Sequence, residues 1–553
     1  MSAMNSRPVS SIEMRLPGGS GLLLIMLAAL TLRALCAILF TGEIDTEGAE
    51  YARIAQNIIA GKGYEGLATQ GTQLFFPPLF PFLIAGVSLI TGDAEIAGRI
   101  LNVLSGALLV YPVYLVARRM FDEAIGLGAA GLIAVHPYLV QLSTTVFCEA
   151  TYLTLLLTAL YSAMSAVDKP TWRRLTVSGG LYGFAYLVRP EAFIFMLVGM
   201  AFILLGQVLL SHGNLRAVMR RVLVMPICFF VVASPYIGWL SLQTGKLRME
   251  SKSPLNVATE LRIQQGHRLE DAAFGVDKDL IVQGVWNQPN INIVRSPGVS
   301  TRELVTMIAN KSWRVVANLY KSVATSWEFG SPALFALAIL GLLGGPWRRS
   351  LALDQLQLVI LLALSTFATF FIYYSAIRFY VLFLVFFCIW ASAATMRLML
   401  WIQRLAAMSG LVARRQALAG SAARILAGAA IVIPSAVWTY PVLSEALGTR
   451  PIEAVSTSLA ASGAPMRIAD VETLHANAEF VWLPYCDEIT ALRYLEKMQV
   501  TQVVVRSDEL ESRPYLKKWM EEGVPNSRLA ARTISGTGDI VQVYDLHRTG
   551  PGG

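Results

Sequence analysis

The chain reads as a polytopic α-helical membrane protein, with about 11 transmembrane helices, further helices lying along its outer face, and a small C-terminal soluble α/β domain. Three observations predict this. The 553 residues are 55% hydrophobic and only 15% charged, with a mean hydropathy of +0.54, too little polar surface for a soluble protein of this size. Apolar windows of roughly 20 residues, the length that crosses a bilayer, recur as far as about residue 440. The basic residues between those windows fall in a regular alternation that a single membrane orientation explains.

The first window, Gly21 to Thr41, follows Arg7 and Arg15. It is longer than a signal-peptide core and runs past Arg33 through Ala37-Ile38-Leu39-Phe40, so an uncleaved first span is expected. Further spans are read at 99–117, 124–138, 146–166, 175–188, 191–210, 222–241, 332–346, 353–374, 378–396 and 421–440. With the N-terminus inside, Arg118-Arg119, Lys169 with Arg173-Arg174, Arg216 with Arg220-Arg221, Arg348-Arg349, and Arg397 through Arg415 all fall on the inner side. The formal charge of +8 therefore follows membrane topology, and no nucleic-acid partner is expected.

The segment FFPPLFPFLIAGVSLITG, Phe75 to Gly92, is apolar but is not counted as a span. Counting it would invert every later basic cluster, and Pro77, Pro78 and Pro81 interrupt its start as a helix. It is read as an interfacial or re-entrant helix on the outer face. Four of the five cysteines, Cys36, Cys148, Cys228 and Cys388, lie in apolar segments, and Cys486 stands alone in a polar region. That spacing supports neither a disulfide framework nor a CxxC metal site.

The expected domains are a membrane part over 1–440, with a first outer loop at 42–98 and a large outer loop at 242–331, and an outward α/β domain over 441–553. In the latter, Met466–Asp470, Glu479–Trp482, Val500–Val505 and Ile540–Tyr544 read as strands, and Glu488–Met498 and Tyr515–Glu522 as helices. It carries no GxGxxG or P-loop, and its terminal Gly-Pro-Gly-Gly is read as disordered.

On this topology the outer face collects charge. After Asp45-Thr46, apolar residues recur at Ala49, Ile54, Ala55, Ile58 and Ile59, and Gly61 and Gly63 end the pattern, which describes a short helix along the membrane. Glu149 lies near the outer end of one span, Arg189 and Glu191 lie where two spans meet, and Arg378 lies at another outer junction. Charges inside apolar segments are costly and point at a cavity or a partner. Structural readings stand beside the functional one: Asp45 as a helix N-cap, Arg189 paired with Glu149. The functional reading is transfer of a group from an anionic lipid headgroup. A carboxylate takes the proton of an attacking hydroxyl, and arginines hold a phosphate bidentately.

Taken in order, these pieces resemble a known superfamily. Acidic DTEGAEYARIAQNI with GKGY, then FPPLFPFLIA, GRILNVLSGALLVYPVYLVARRMF, VHPYLVQLSTTVFCEATYLTLLLTALY, GFAYLVRPEAF and AIRFY match the GT-C glycosyltransferases that use polyprenyl-phosphate sugars. The resemblance covers roughly Gly21 to Ala394 and points to the broad group of protein O-mannosyltransferases and the aminoarabinose transferase acting on lipid A. It implies an inverting transfer from an undecaprenyl-phosphate sugar to an envelope acceptor (lipid, glycan or protein). The setting would be the periplasmic side of a bacterial inner membrane, with the N-terminus cytoplasmic and the C-terminal domain periplasmic. It casts Asp45 as general base, Glu47 and Tyr51 as positioning acceptor or donor, and Arg189 and Arg378, assisted by Lys62, as the phosphate site. Glu149 is expected to line the same site. The chain departs from the group in lacking a proline after Arg378 and a histidine before Pro77-Pro78. Asp45-Thr46-Glu47 has the spacing at which some members bind a divalent cation. Two carboxylates alone make a weak site, so no metal or other cofactor is expected. The alternative class is a transporter or flippase of lipid-linked saccharides, against which stand the lack of a repeat and the gathering of charge at one face.

Overall fold

The computed structural model describes residues 18–39, 46–67, 72–211, 215–276, 278–280, 282–283, 300–326, 329, 331–345, 348–372, 376–409, 413–445, 467–470, 479–534 and 539–547. Asp45, the expected base, lies outside these residues, as does the Gly-Pro-Gly-Gly terminus.

The described residues begin with α1 (Gly18–Leu39), α2 (Thr46–Ile59), α3 (Leu79–Thr91), α4 (Ala94–Leu108) and α5 (Val110–Met120). There follow α6 (Glu123–Val135), α7 (Pro137–Thr144), α8 (Glu149–Asp168), α9 (Trp172–Tyr186), α10 (Ala192–Gly206), α11 (Leu215–Val222) and α12 (Val224–Thr244). The expected outer loop holds α13 (Lys252–Gln264), α14 (Leu269–Phe274), a two-stranded ladder β1 (Gly275–Val276) and β2 (Val282–Gln283), and α15 (Thr301–Leu319). The bundle resumes with α16 (Ser331–Leu343), α17 (Arg349–Ala368), α18 (Val381–Met408) and α19 (Ala413–Glu445).

Seven helices among the described residues are long and apolar enough to cross a membrane, or up to eight when α6 and α7 count as one broken span. The expected windows at 175–188 and 332–346 correspond to α9 and α16, of 15 and 13 residues. Composition alone measures how apolar a stretch is, while the helix within it ends where turns and prolines end it. Helix α3 behaves likewise: it starts after Pro78 and stops at Gly92 in a left-handed cap after 13 residues. At 1.5 Å per residue that is about 20 Å, short of the ~30 Å hydrocarbon core.

Two features explain how the bundle holds polar groups. Arg33 in α1 is fully buried and donates to the carbonyls of Ala134 (2.8 Å) and Ile133 (3.0 Å) and to Ser143 Oγ (3.2 Å). These carbonyls end α6 at a 54° bend before Pro137, whose missing N–H cannot continue the ladder. A cation at that helix C-terminus satisfies them. Helices α9 and α12 approach through Gly179 and Gly183: a Cβ at Gly179 would stand 2.3 Å from the Met225 carbonyl, and one at Gly183 would stand 2.8 Å from Val232 Cβ. Small residues four apart permit this backbone contact where lipid offers no hydrophobic drive.

The C-terminal part is a five-stranded sheet in the order β4 (Glu479–Trp482), β3 (Arg467–Asp470), β5 (Gln502–Arg506), β7 (Ile540–Leu546), β6 (Ser527–Ile534). The β3 strand is parallel to β4 and β5, whereas β5–β7 and β7–β6 are antiparallel. Helices α20 (Glu488–Lys497) and α21 (Leu516–Glu522) pack Tyr494, Leu495, Leu516 and Trp519 against Val503 and Val505. The sequence reading lacks β6, a largely exposed edge strand with arginines at Arg528 and Arg532 and little apolar alternation. The sheet docks on the bundle's loops. Trp482 lies 5.2 Å from Phe274 ring to ring and clusters with Leu67 and Ala49, and the Tyr485 amide donates to the Phe274 carbonyl at 2.9 Å.

Candidate functional site

Helix α8 carries a charge cluster at each end. Asp168, its last residue, pairs with Arg119 at 2.5 Å, and Arg119 Nε lies 3.3 Å from buried Asp354. Glu149, its first residue, belongs to the second cluster. Twenty helical residues put the two about 30 Å apart, one hydrocarbon thickness. The second cluster lies at the end where the C-terminal sheet and the α2 loop meet.

That cluster is an alternating chain of charges contributed by four separate stretches. Arg378, in a 3-10 turn just before α18, donates through Nη2 to Glu47 Oε2 of α2, and its Nη1 lies 3.9 Å from Glu149 Oε1. Arg189, at the α9–α10 junction, donates to the same Glu149 oxygen at 3.4 Å and to Glu191 Oε1 at 2.6 Å. The Arg189–Glu149 pair read from the sequence as a structural alternative is thus present, and it lies within the charged chain of the candidate site. Tyr51, one turn after Glu47, donates to Glu47 Oε1 at 2.9 Å and lies edge-on to Phe76 and Phe80. The guanidinium of Arg378 packs over Phe147 (4.7 Å) and that of Arg189 over Tyr152 (5.4 Å).

Glu47, Tyr51, Glu149, Arg189, Glu191 and Arg378 line one cavity of about 520 Å³. Its charged lining comes from Glu47, Glu149, Arg189, Glu191, Glu250, Lys252 and Arg378, and its apolar lining includes Phe193, Ile194, Leu364, Phe367 and Phe371. Burial by itself would raise the Glu47 carboxyl, but Arg378 and then Lys252 draw its pKa down to about 2, so it stays ionised at any ordinary pH. The Tyr51 phenol is held well above its usual range by burial, with Cys148 and Glu47 adding to it. Burial opposes the charge on Arg189, yet Glu191 and Glu149 keep its pKa raised.

The structure brings together Glu47, Tyr51, Glu149, Arg189 and Arg378. It does not bring Lys62 to them. Lys62 sits exposed on the turn that ends α2, between Gly61 and Gly63, both left-handed at φ +71° and +95°, and it does not line the cavity. The lysine that does line the cavity is Lys252 of α13, whose ammonium lies 4.7 Å from the Phe75 ring centre. Sequence reasoning missed Lys252, Glu250 and Asn256. They come from the long polar loop, where nothing in composition separates Lys252 from Lys246 or Lys278. Among the described residues no group of three or more His, Cys, Asp or Glu side chains is placed to hold a metal ion.

Comparison with known proteins was made on sequence and on fold. No curated protein matches the chain by sequence. Residues 76–239 match the family model described as dolichyl-phosphate-mannose-protein mannosyltransferase. Among solved structures, the chain is similar to the archaeal oligosaccharyltransferase AglB from Archaeoglobus fulgidus in complex with an inhibitory peptide and a dolichol-phosphate. That match has 13% identity and a TM-score of 0.58, covering 96% of this chain and 74% of that one. It is similar also to ArnT from Cupriavidus metallidurans bound to undecaprenyl phosphate, at 12% identity and a TM-score of 0.56, covering 96% and 98% of the two chains. The family match lies over 76–239, and the membrane fold is shared with these solved structures.

Proposed function

We propose that the protein moves a sugar from a polyprenyl-phosphate donor, undecaprenyl phosphate in a bacterium, to an envelope acceptor at the outer face of the membrane, with inversion at the anomeric carbon. One observation carries the reading: Arg189, Arg378 and Lys252 line one cavity together with a set of apolar side chains. A lipid phosphate suits the cationic groups, and the isoprenoid chain suits Phe193, Ile194, Leu364, Phe367 and Phe371. The positive-inside distribution favours the outer side for this cavity, with the N-terminus cytoplasmic and the C-terminal domain, 441–553, periplasmic.

In this reading the acceptor hydroxyl attacks the anomeric carbon as its bond to the phosphate oxygen breaks. The electron pair leaves on the phosphate, where guanidinium and ammonium groups stabilise the growing charge. The hydroxyl proton goes to Asp45. Glu47 is a poor candidate for that step, because a carboxyl held near pKa 2 has little affinity for a proton at neutral pH. Asp45 lies two residues earlier in the same stretch. Glu47, itself held by the Tyr51 hydroxyl, instead holds Arg378, and Glu149 holds Arg189. The reaction invokes no cofactor.

The test is transfer by purified protein supplied with undecaprenyl-phosphate-linked sugars and envelope acceptors, read as glycosylated product. Transfer disappears in Asp45→Asn if the assignment holds. Full transfer in that variant removes Asp45 as base, and flipping of labelled lipid without product in the wild type favours the transporter reading.

A further inference from the structure

A further buried charge cluster lies outside the cavity lining, on α13 and α15. Glu260 of α13 has no solvent exposure. Its Oε1 accepts from Arg314 Nη2 at 2.6 Å and from Gln264 at 3.0 Å, and its Oε2 lies 3.1 Å from Lys311 Nζ. Lys311, on the inward stripe of α15 with Met307 and Val315, also donates to the backbone carbonyls of Ile372 and, at 3.4 Å, of Phe370. Those carbonyls belong to the 3-10 turn after α17 (Thr369–Phe371) and to the residue that follows it. A cation there caps the helix end and satisfies carbonyls that the ladder leaves open.

Neither Lys311 nor Glu260 lines the cavity, but both segments they join do. Helix α13 supplies Lys252, Ser253 and Asn256 to one wall; Thr369, Phe371 and Ile372 form another, and Arg378 follows six residues on. Helix α13 touches the 369–371 turn directly, and the Lys311 ammonium adds a polar tie between the two walls from α15.

We propose that Lys311 is a positioning residue for the donor: bound to Glu260 on one side and to the Phe370 and Ile372 carbonyls on the other, it sets the spacing of Lys252 against the wall that leads to Arg378. This rests on the glycosyltransferase reading above. A buried pair that only stabilised the fold would leave donor KM unchanged in a folded variant, whichever cation around Glu260 is lost. A pair that sets the cavity is sensitive to the one that also holds 370 and 372.

The experiment compares full-length Lys311→Met, Lys311→Arg and Arg314→Met in detergent, by donor KM and kcat and by hydrogen exchange over 252–264 and 369–372. Lys311→Met raises donor KM roughly tenfold with kcat changed less than about twofold, and Lys311→Arg restores most of it. Exchange rises in both segments together in Lys311→Met, and Arg314→Met leaves KM within about twofold of wild type. If Lys311→Met yields no folded protein, Lys311→Gln carries the same measurement. Equal KM effects from the Arg314 and Lys311 variants, or unchanged exchange in either segment, overturn the proposal. Absence of transfer in the wild type would count against the glycosyltransferase reading alone, since the exchange result stands without it.

Discussion

Arg378 and Glu47, 331 positions apart in the chain, form an ion pair between the turn before α18 and the first helical turn of α2, with side chains 13% and 6% exposed. Breaking a buried pair from one side strands the other charge, at a cost of about 3–5 kcal/mol. Arg378→Gln is therefore expected to destabilise by that order and to abolish transfer. The Glu47→Gln/Arg378→Gln double variant recovers much of the stability but none of the activity. Denaturation of the three variants in detergent checks the first part, and the transfer assay checks the second.

The same pair gives a pH dependence with a fixed sign. Glu47 has a folded pKa near 2 against an ordinary 4.5, so its ionised form is what the fold prefers. Its contribution is complete above about pH 4.5 and is lost as the pH falls from there through about 2. Thermal melts between pH 7 and pH 3 should show the wild type losing stability at the acid end relative to Glu47→Gln. Parallel curves for the two proteins would contradict the ion pair.

Much of this site was legible in the sequence, for one physical reason. In Glu149, Arg189 and Arg378 a charge stands beside long apolar runs, where lipid gives it no solvent, and such a charge is informative wherever it occurs. Glu47 and Tyr51 enter instead through the resemblance carried by the DTEGAEYARIAQNI stretch, since its spacing by itself marks only a helix. Lys252, Glu260 and Lys311 were invisible: in a polar loop a lysine is ordinarily solvated, and only tertiary folding buries Glu260 and Lys311 and brings Lys252 to the cavity wall. The edge strand β6 failed for the same lack of contrast, its side chains pointing mostly to solvent.

Lys62 separates the two kinds of evidence. Exposed and away from the cavity lining, it should tolerate Lys62→Ala with donor KM within about twofold of wild type, whereas Lys252→Ala should raise KM by roughly tenfold or more. Steady-state kinetics on the two variants tests whether the phosphate site draws on α13 or on the first loop.

Close backbone packing of α9 on α12 makes a prediction about stability alone. Gly179→Ala places a methyl carbon 2.3 Å from the Met225 carbonyl oxygen, so the helices must part, at roughly 1–3 kcal/mol. Gly180, with nothing within 4 Å of a built Cβ, should accept alanine without loss. Melting temperatures of the two variants side by side check this.

The most direct measurement is sugar transfer from undecaprenyl-phosphate-linked donors by the purified wild type, Asp45→Asn and Arg378→Gln proteins, with the anomeric configuration of the product determined. The account predicts an inverted product from the wild type and none from either variant. Undiminished transfer by Asp45→Asn or Arg378→Gln, or a product of retained configuration, contradicts it.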